Sequence, residues 1–313
     1  MTHPTPPVPR ERVGLIGAGL MGHGIGRNVV EKGWPLVAHD PYKPESVADL
    51  VQRGATAAAT VADVGARSDV VILCVTGAPQ VESVVFGEGG LLATMAPGSV
   101  VVDCSTNEPP MTRRVAAALA ERGIDFSDAP LSRTPPEAEA GKLNVLVGAA
   151  PATFERIRPV IGAFAENIFH IGAVGEAITL KLINNYLTMG MLSVMAEAYA
   201  ACVKTGIDPK KWHELTTPGV MNSGLFQMVV GGAVAGEADR MKFFVSNACK
   251  DITYFTHLAA DAGLESPIAA TVRASIERAV ADGYGANFMT GLLDAQLARN
   301  GLPTVAWNDA AKA

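Results

Sequence analysis

Lys181, Asn184 and Asn185 are the residues of this chain best placed to do chemistry. They stand at i, i+3 and i+4 in Lys181-Leu-Ile-Asn184-Asn185, so a helix presents all three on one face. Their neighbours Ala177, Ile178, Leu180, Leu182, Ile183, Tyr186 and Leu187 are almost all apolar. An ammonium in such a segment is costly to bury unless something uses it. Partial burial also lowers a lysine's pKa towards neutrality, which suits a group that must both give and take a proton.

The second constellation lies near the N-terminus. Gly17-Ala18-Gly19-Leu20-Met21-Gly22 follows the strand-like run Val13-Gly14-Leu15-Ile16 and opens a helical segment. In such a turn Gly17 permits the tight bend, Gly19 lets backbone approach a pyrophosphate and Gly22 lets helix and strand pack closely. The anion would rest on the helix N-terminus, with Leu20 and Met21 in the same loop. An acid about 20 residues on, at the end of the second strand, completes the fingerprint: Asp40. Asp40 should accept hydrogen bonds from ribose hydroxyls and repel a 2′-phosphate, and Pro41 rather than an arginine follows it. NAD is therefore favoured over NADP, although Lys43 is within reach of a phosphate. Together the two constellations indicate a nicotinamide enzyme with a lysine acid/base.

These residues need a scaffold, and 313 residues are enough for two domains. The first half alternates short β-branched runs with amphipathic segments. The runs are Arg12–Ile16, Leu36–His39, Val70–Val75, Val100–Asp103, Ile124–Ser127 and Leu143–Val147; the segments are Met21–Lys32, Pro44–Gln52, Pro79–Phe86 and Pro109–Arg122. That alternation predicts an α/β domain with a parallel sheet covered on both faces. From Val174 onward the pattern is helix after helix: 175–203, then about 209–216, 222–231, 243–262, 266–282 and 288–299. The domain boundary is placed at Gly172–Gly175, with an N-terminal domain over 12–173 and an all-helical one over 174–302. Residues 1–11, with four prolines and no apolar core, read as a disordered leader rather than a signal peptide, and 303–313 as a loose tail.

Composition narrows the function further. Hydrophobic residues make up 49% and charged residues 18%, a packed globular chain, and the net charge is −6 with no basic cluster, which argues against nucleic acid. Met189 to Val203 is apolar but broken by Glu197 and too short to span a bilayer. Cys74, Cys104, Cys202 and Cys249 lack C-x-x-C spacing and read as reduced core thiols, so a cytoplasmic location is expected. His213 and His257 are isolated, so no metal site is expected. His23 reads as facing solvent or the helix start, Asp103 and Asp128 as loop caps, and Phe243, Phe244, Met189, Met191 and Met195 as core.

Four motifs in order give a resemblance to the β-hydroxyacid dehydrogenase family over about residues 12–300. They are Gly17-Ala-Gly-Leu-Met-Gly22; Asp128-Ala-Pro-Leu-Ser132 with Ala138 and Gly141-Lys-Leu143; Gly175 followed by Lys181-Leu-Ile-Asn184-Asn185; and Lys250-Asp251. The resemblance implies a Rossmann-type N-terminal domain and an all-α C-terminal domain joined by a long helix, assembled as a homodimer or homotetramer. It implies Lys181 as catalytic acid/base, Asn185 as a substrate-holding residue, and Asn184 as a supporting one. Lys250 would lie over the cofactor with Asp251 behind it. Val75, Thr76 and Thr106 would line the cofactor, Thr76 departing from the family's usual proline.

The substrate loop departs more. Most members read Ser-Gly-Gly, whereas this chain reads Ser132-Arg133-Thr134. The change is similar to the sulfolactaldehyde reductase branch, in which arginine and threonine help bind a sulfonate. A planar guanidinium suits an anionic head group, carboxylate or sulfonate alike. Sulfolactaldehyde, tartronate semialdehyde, methylmalonate semialdehyde, succinate semialdehyde and L-serine-like hydroxyacids all remain open as substrates, as does the alternative of a 3-hydroxyisobutyrate dehydrogenase. An alternative of another class is an NAD-binding protein without turnover.

Overall fold

A computed structural model describes residues 10–308. The contacts divide the chain into two units, Met1–Lys181 and Leu182–Ala313, and the division falls inside one long helix. The leader lies outside the described residues except for Arg10 and Glu11, and Glu11 is held by Arg156 at 2.8 Å.

The first unit is built on one sheet. Its strands are β1 (Val13–Ile16), β2 (Leu36–His39), β3 (Thr56–Ala57), β4 (Val70–Leu73), β5 (Val100–Asp103), β6 (Asp125–Asp128), β7 (Leu131–Ser132), β8 (Leu143–Gly148) and β9 (Ala165–Gly172). The order is β3-β2-β1-β4-β5-β6-β8-β7, with β9 also paired to β8. From β3 to β6 all neighbours are parallel, as the alternation predicted. Beyond β6 the parallel pattern breaks: β8 is antiparallel to β6 and β7. The chain turns back over residues 133–142, between β7 and β8, a link too short for a full crossover to a parallel strand.

Along each central strand, alternate residues enter opposite cores. Val13, Leu15, Val70, Ile72, Val100 and Val102 face one, and Ile16, Val71, Leu73 and Val101 face the other. Both sides are buried because helices cover both, so these strands read as continuous apolar runs. The helices are α1 (Gly22–Glu31), α2 (Pro44–Gln52), α3 (Val61–Arg67), α4 (Ala78–Phe86), α5 (Leu91–Thr94), α6 (Pro109–Ala120), α7 (Pro135–Glu139) and α8 (Pro151–Ile161). The long helix α9 runs from Glu176 to Lys204.

The second unit is helical, with a core gathered on the C-terminal part of α9 by the helices Val245–Asp261, Pro267–Ala279 and Gly291–Arg299. α9 is long and apolar enough to cross a membrane by length and composition. It nonetheless buries Leu182, Asn185, Met189, Leu192, Ala196 and Tyr199, a 3-4 spaced stripe, in protein. The single helix expected over 222–231 is interrupted by a π-turn at Gln227–Gly231. Residues 303–308, expected as a loose tail, are held against the helical unit. Val305 N–H and Trp307 Nε1–H donate to Asp294 at 2.9 and 2.6 Å, and both side chains pack on the helical core. An indole provides both apolar area and a donor for a buried carboxylate. Residues 309–313 lie outside the described residues.

Candidate active site

The glycine loop sits at the carboxyl ends of β1 and β4, where the strand order reverses. Gly17 has φ +94, and a Cβ there would stand 2.3 Å from the carbonyl oxygen of Cys74. A Cβ on Gly22 would stand 2.0 Å from the Gly17 carbonyl oxygen, whereas one on Gly19 would meet nothing within 4 Å. Two glycines are thus demanded by the fold, and the third leaves its side open for a ligand. Leu20 and Met21 follow on the rim, Leu20 exposed.

Asp40, at the end of β2, accepts from Ala18 N–H at 2.7 Å and from Tyr42 and Lys43 N–H at 2.8 and 3.1 Å. The carboxylate therefore braces the glycine loop. About four lone-pair positions exist on a carboxylate, so one remains for a ribose hydroxyl. Open backbone beside Gly19, a helix start and a partly satisfied acid fit a dinucleotide.

The loops after β4 and β5 are tied together, since Val75 N–H donates to Ser105 Oγ at 3.0 Å. Thr76 is exposed and Thr106 half-buried beside this link. Asp103, buried at the end of β5, accepts from Ser105 N–H at 2.9 Å. Burial pushes its carboxyl up to about 6, against the help of that N–H. A raised folded pKa stabilises fully below the unfolded value near 3.8 and is lost as pH rises through about 6. At pH 8 the buried charge therefore destabilises the fold, by roughly 2–3 kcal/mol. Asp103→Asn, which keeps an acceptor oxygen for Ser105, should raise the melting temperature at pH 8. The gain should vanish by pH 4, and thermal scans at both pH values check it.

The substrate loop presents a different picture from its sequence. Arg133 has φ +82, the one non-glycine residue in the left-handed region among the described residues. That conformation suits glycine. The guanidinium of Arg133 donates to the Lys142 carbonyl at 2.6 Å and to Glu166 at 2.5 Å. Its ion-pair partner, Glu166, is on β9. Thr134 sits at the N-cap of α7, its hydroxyl donating to Glu137, whose carboxylate also accepts Thr134 N–H at 3.0 Å. Ser132, on β7, is half-buried.

Asp128, at the end of β6, accepts from Gly175 N–H and Ile178 N–H, both at 2.8 Å. These are orphan donors of the first turn of α9, so a sheet residue fixes where the helix begins. Burial holds the Asp128 carboxyl above its usual range despite those N–H groups. Lys181, half-buried, follows one turn later.

Within the second unit, Asn185 is buried and donates from Nδ2 to Asp251 Oδ2 at 2.7 Å. Lys250 Nζ donates to Asp251 Oδ1 at 2.6 Å and lies 4.8 Å above the Tyr254 ring. Asp251 thus orients Asn185 with one oxygen and the Lys250 ammonium with the other, and Tyr186 stacked on Phe255 at 4.1 Å holds the two helices in register. Asn184 faces outward, exposed. Phe244 pairs with Phe288 at 5.0 Å.

Asp128 and His23 do more in the structure than their places in the sequence suggest. The anchor role of Asp128 was visible only as its place in the Asp128-Ala-Pro-Leu-Ser132 motif. His23 is not solvent-facing: its ring nitrogens lie 2.6 Å from Glu139 and 2.9 Å from Asp49. No local signal could have found partners 116 and 26 residues away.

Comparison with known proteins agrees with this geometry. Residues 12–172 match the NAD binding domain of 6-phosphogluconate dehydrogenase, and residues 175–295 the NAD-binding family of NADP-dependent 3-hydroxyisobutyrate dehydrogenase. The 2-(hydroxymethyl)glutarate dehydrogenase of Eubacterium barkeri is 31% identical over 287 residues, covering 90% of this chain and 93% of that one. The 3-sulfolactaldehyde reductase of Escherichia coli K12 is 27% identical, covering 90% and 94%. A crystal structure of 3-hydroxyisobutyrate dehydrogenase from Salmonella typhimurium superposes with a TM-score of 0.82 at 28% identity, covering 91% of this chain and 99% of that one.

Proposed function

This chain belongs to the β-hydroxyacid dehydrogenase family, NAD(P)-dependent enzymes acting on CH–OH groups, and from that premise we propose that it interconverts a small anionic semialdehyde and its 3-hydroxyacid-type primary alcohol. The observation that carries this reading is α9 itself. A sheet carboxylate fixes its start, Lys181 follows, and Asn185 stands one turn beyond with its amide oriented by Asp251. Lys181 donates a proton to the carbonyl oxygen in reduction and removes it from the alcohol in oxidation. Asn185, four residues beyond Lys181 on the same helix, is the residue this reading assigns to the substrate. The chemistry of a dinucleotide bound at the Gly17–Gly22 loop is hydride transfer. Asp40, with one lone pair left for a ribose hydroxyl, favours NAD over NADP. Asp251 holds the Lys250 ammonium with the oxygen that Asn185 leaves free.

Exposed Ile183, Leu187 and Val194 form an apolar stripe on α9, which supports a homo-oligomer. The four free cysteines support a cytoplasmic location.

A sulfonated substrate is a second reading, favoured by Arg133 and Thr134 where glycines are usual. Reaching that anion requires Arg133 to leave Glu166. Arg133→Gly is a clean test of it. Glycine accepts φ +82 freely, which regains about 1 kcal/mol, and loses an exposed ion pair worth about as little. The variant should fold as well as the parent. Initial rates with sulfolactaldehyde, tartronate semialdehyde and succinate semialdehyde separate the readings. A sulfolactaldehyde preference that collapses at least tenfold in KM supports the sulfonate, on the scale of one charged hydrogen bond. A carboxylate preference untouched by the mutation makes Arg133 a strap for β9 and removes the sulfonate reading.

A further inference from the structure

We propose that His23, as an imidazolium, is a positioning residue for the substrate loop, so that affinity for an anionic substrate is linked to one proton. The proposal rests on the reading of residues 132–134 as the substrate loop. His23 lies in the first turn of α1, directly after the glycine loop. Its Nδ1 is 2.6 Å from Glu139 at the end of α7, and its Nε2 is 2.9 Å from Asp49 on α2. A neutral imidazole has one donor and one acceptor nitrogen. A lone pair aimed at either carboxylate would be repelled, so both contacts together require the charged ring.

The rest of the cluster is balanced around that charge. Arg27 pairs with Glu31 at 3.0 Å and with Glu139 at 3.3 Å, and Arg53 pairs with Glu31 at 2.6 Å and Asp49 at 2.7 Å. With His23 charged, three cations face three carboxylates; with it neutral, two cations face three. Arg53 and His23 hold Asp49 down at about 2, so this carboxylate stays ionised throughout. Burial draws the imidazole pKa down, but Glu139 and Asp49 outweigh it and leave it raised above 6.5.

The link reaches the loop through α7. Asn28 Nδ2 donates to the carbonyls of Ala138 and Glu139 at 3.0 and 3.1 Å, seating the end of α7 on α1. A Cβ at Gly24 would lie 2.5 Å from the Ala138 carbonyl carbon, so the two backbones touch. The other end of this five-residue helix is Thr134. A shift at Glu139 is therefore passed to Ser132–Thr134 with little slack. Because the folded pKa is raised, the bridge is complete below about 6.5 and is released as pH rises through the folded value.

The test combines three proteins and two readouts. In the parent, KM for the anionic substrate should rise roughly tenfold across the His23 titration while kcat follows a different profile. His23→Gln should hold KM high and flat over the same interval. Glu139→Gln should move the inflection to lower pH, which a purely structural contact would not do. The second readout is hydrogen exchange of peptides covering 131–140, compared between parent and His23→Gln at each pH. Protection should fall in the parent alone, at the pH where the ring-labelled His23 resonance titrates. A His23 resonance titrating at or below 6.5, or an exchange difference that ignores pH, overturns the proposal. A protein that turns over no hydroxyacid overturns the functional reading instead, and exchange still decides the role of His23.

Discussion

Lys181→Ala should lower kcat by roughly 10²–10⁴-fold, the usual worth of positioned acid/base catalysis, with little change in KM. The expectation follows from where the residue stands. α9 begins where Asp128 holds its first N–H groups, and Lys181 comes one turn later, half-buried and four residues before Asn185. In the proposed reading Lys181 moves a proton and does not hold the substrate, so ground-state binding should survive in the variant while the alkoxide loses its proton donor. Lys181→Arg is the sharper control. It retains the positive charge, but a guanidinium does not release its proton in the working range. If the lysine only attracted the anion, the arginine variant would keep most of the rate; if it moves a proton, both variants fail alike. Cofactor binding, followed by NADH fluorescence, should be close to normal in each. Full turnover in Lys181→Ala would end the acid/base assignment.

Asp128→Ala should cost about 2–6 kcal/mol of stability, because two buried N–H groups at the start of α9 lose their acceptor at about 1–3 kcal/mol each. A carboxylate at a helix N-terminus also interacts favourably with the dipole, and that is lost too. The consequence reaches the chemistry. With Gly175 and Ile178 released, the first turn of α9 can fray and Lys181 loses its fixed position. The variant should therefore melt lower and turn over more slowly even at temperatures where it is folded. Asp128→Asn keeps one acceptor oxygen and should fall between the two. Chemical denaturation gives the stability and steady-state rates at low temperature give the activity. Parent-like values for both would mean that water or backbone replaces the carboxylate and that Asp128 anchors nothing.

What could be read from the sequence was local. The glycine loop needs three glycines within six residues, and the reasons are backbone conformation and close approach over that span. The strands β2 and β5 were placed to the residue because both faces are buried and the apolar run has sharp ends. The short helix after Thr134 was not among the expected elements, although Thr134 and Glu137 at N-cap and N3 mark its start. The edge strand β9 was missed, since Ala165–Gly172 is polar and half-exposed and offers neither alternation nor an apolar run.

The sequence by itself determined a dinucleotide loop, an α/β unit followed by helices, and a lysine and an asparagine one turn apart on a long helix. Only the tertiary structure decided which face of that helix is buried, because α9 is apolar nearly all round and carries no periodic signal to choose one. It alone decided that Arg133 meets Glu166 across 33 residues, that Trp307 ties the chain end to Asp294, and that His23 lies between Glu139 and Asp49. A charged side chain takes the counter-ion that folding brings within about 4 Å, and pattern along the chain does not encode that distance.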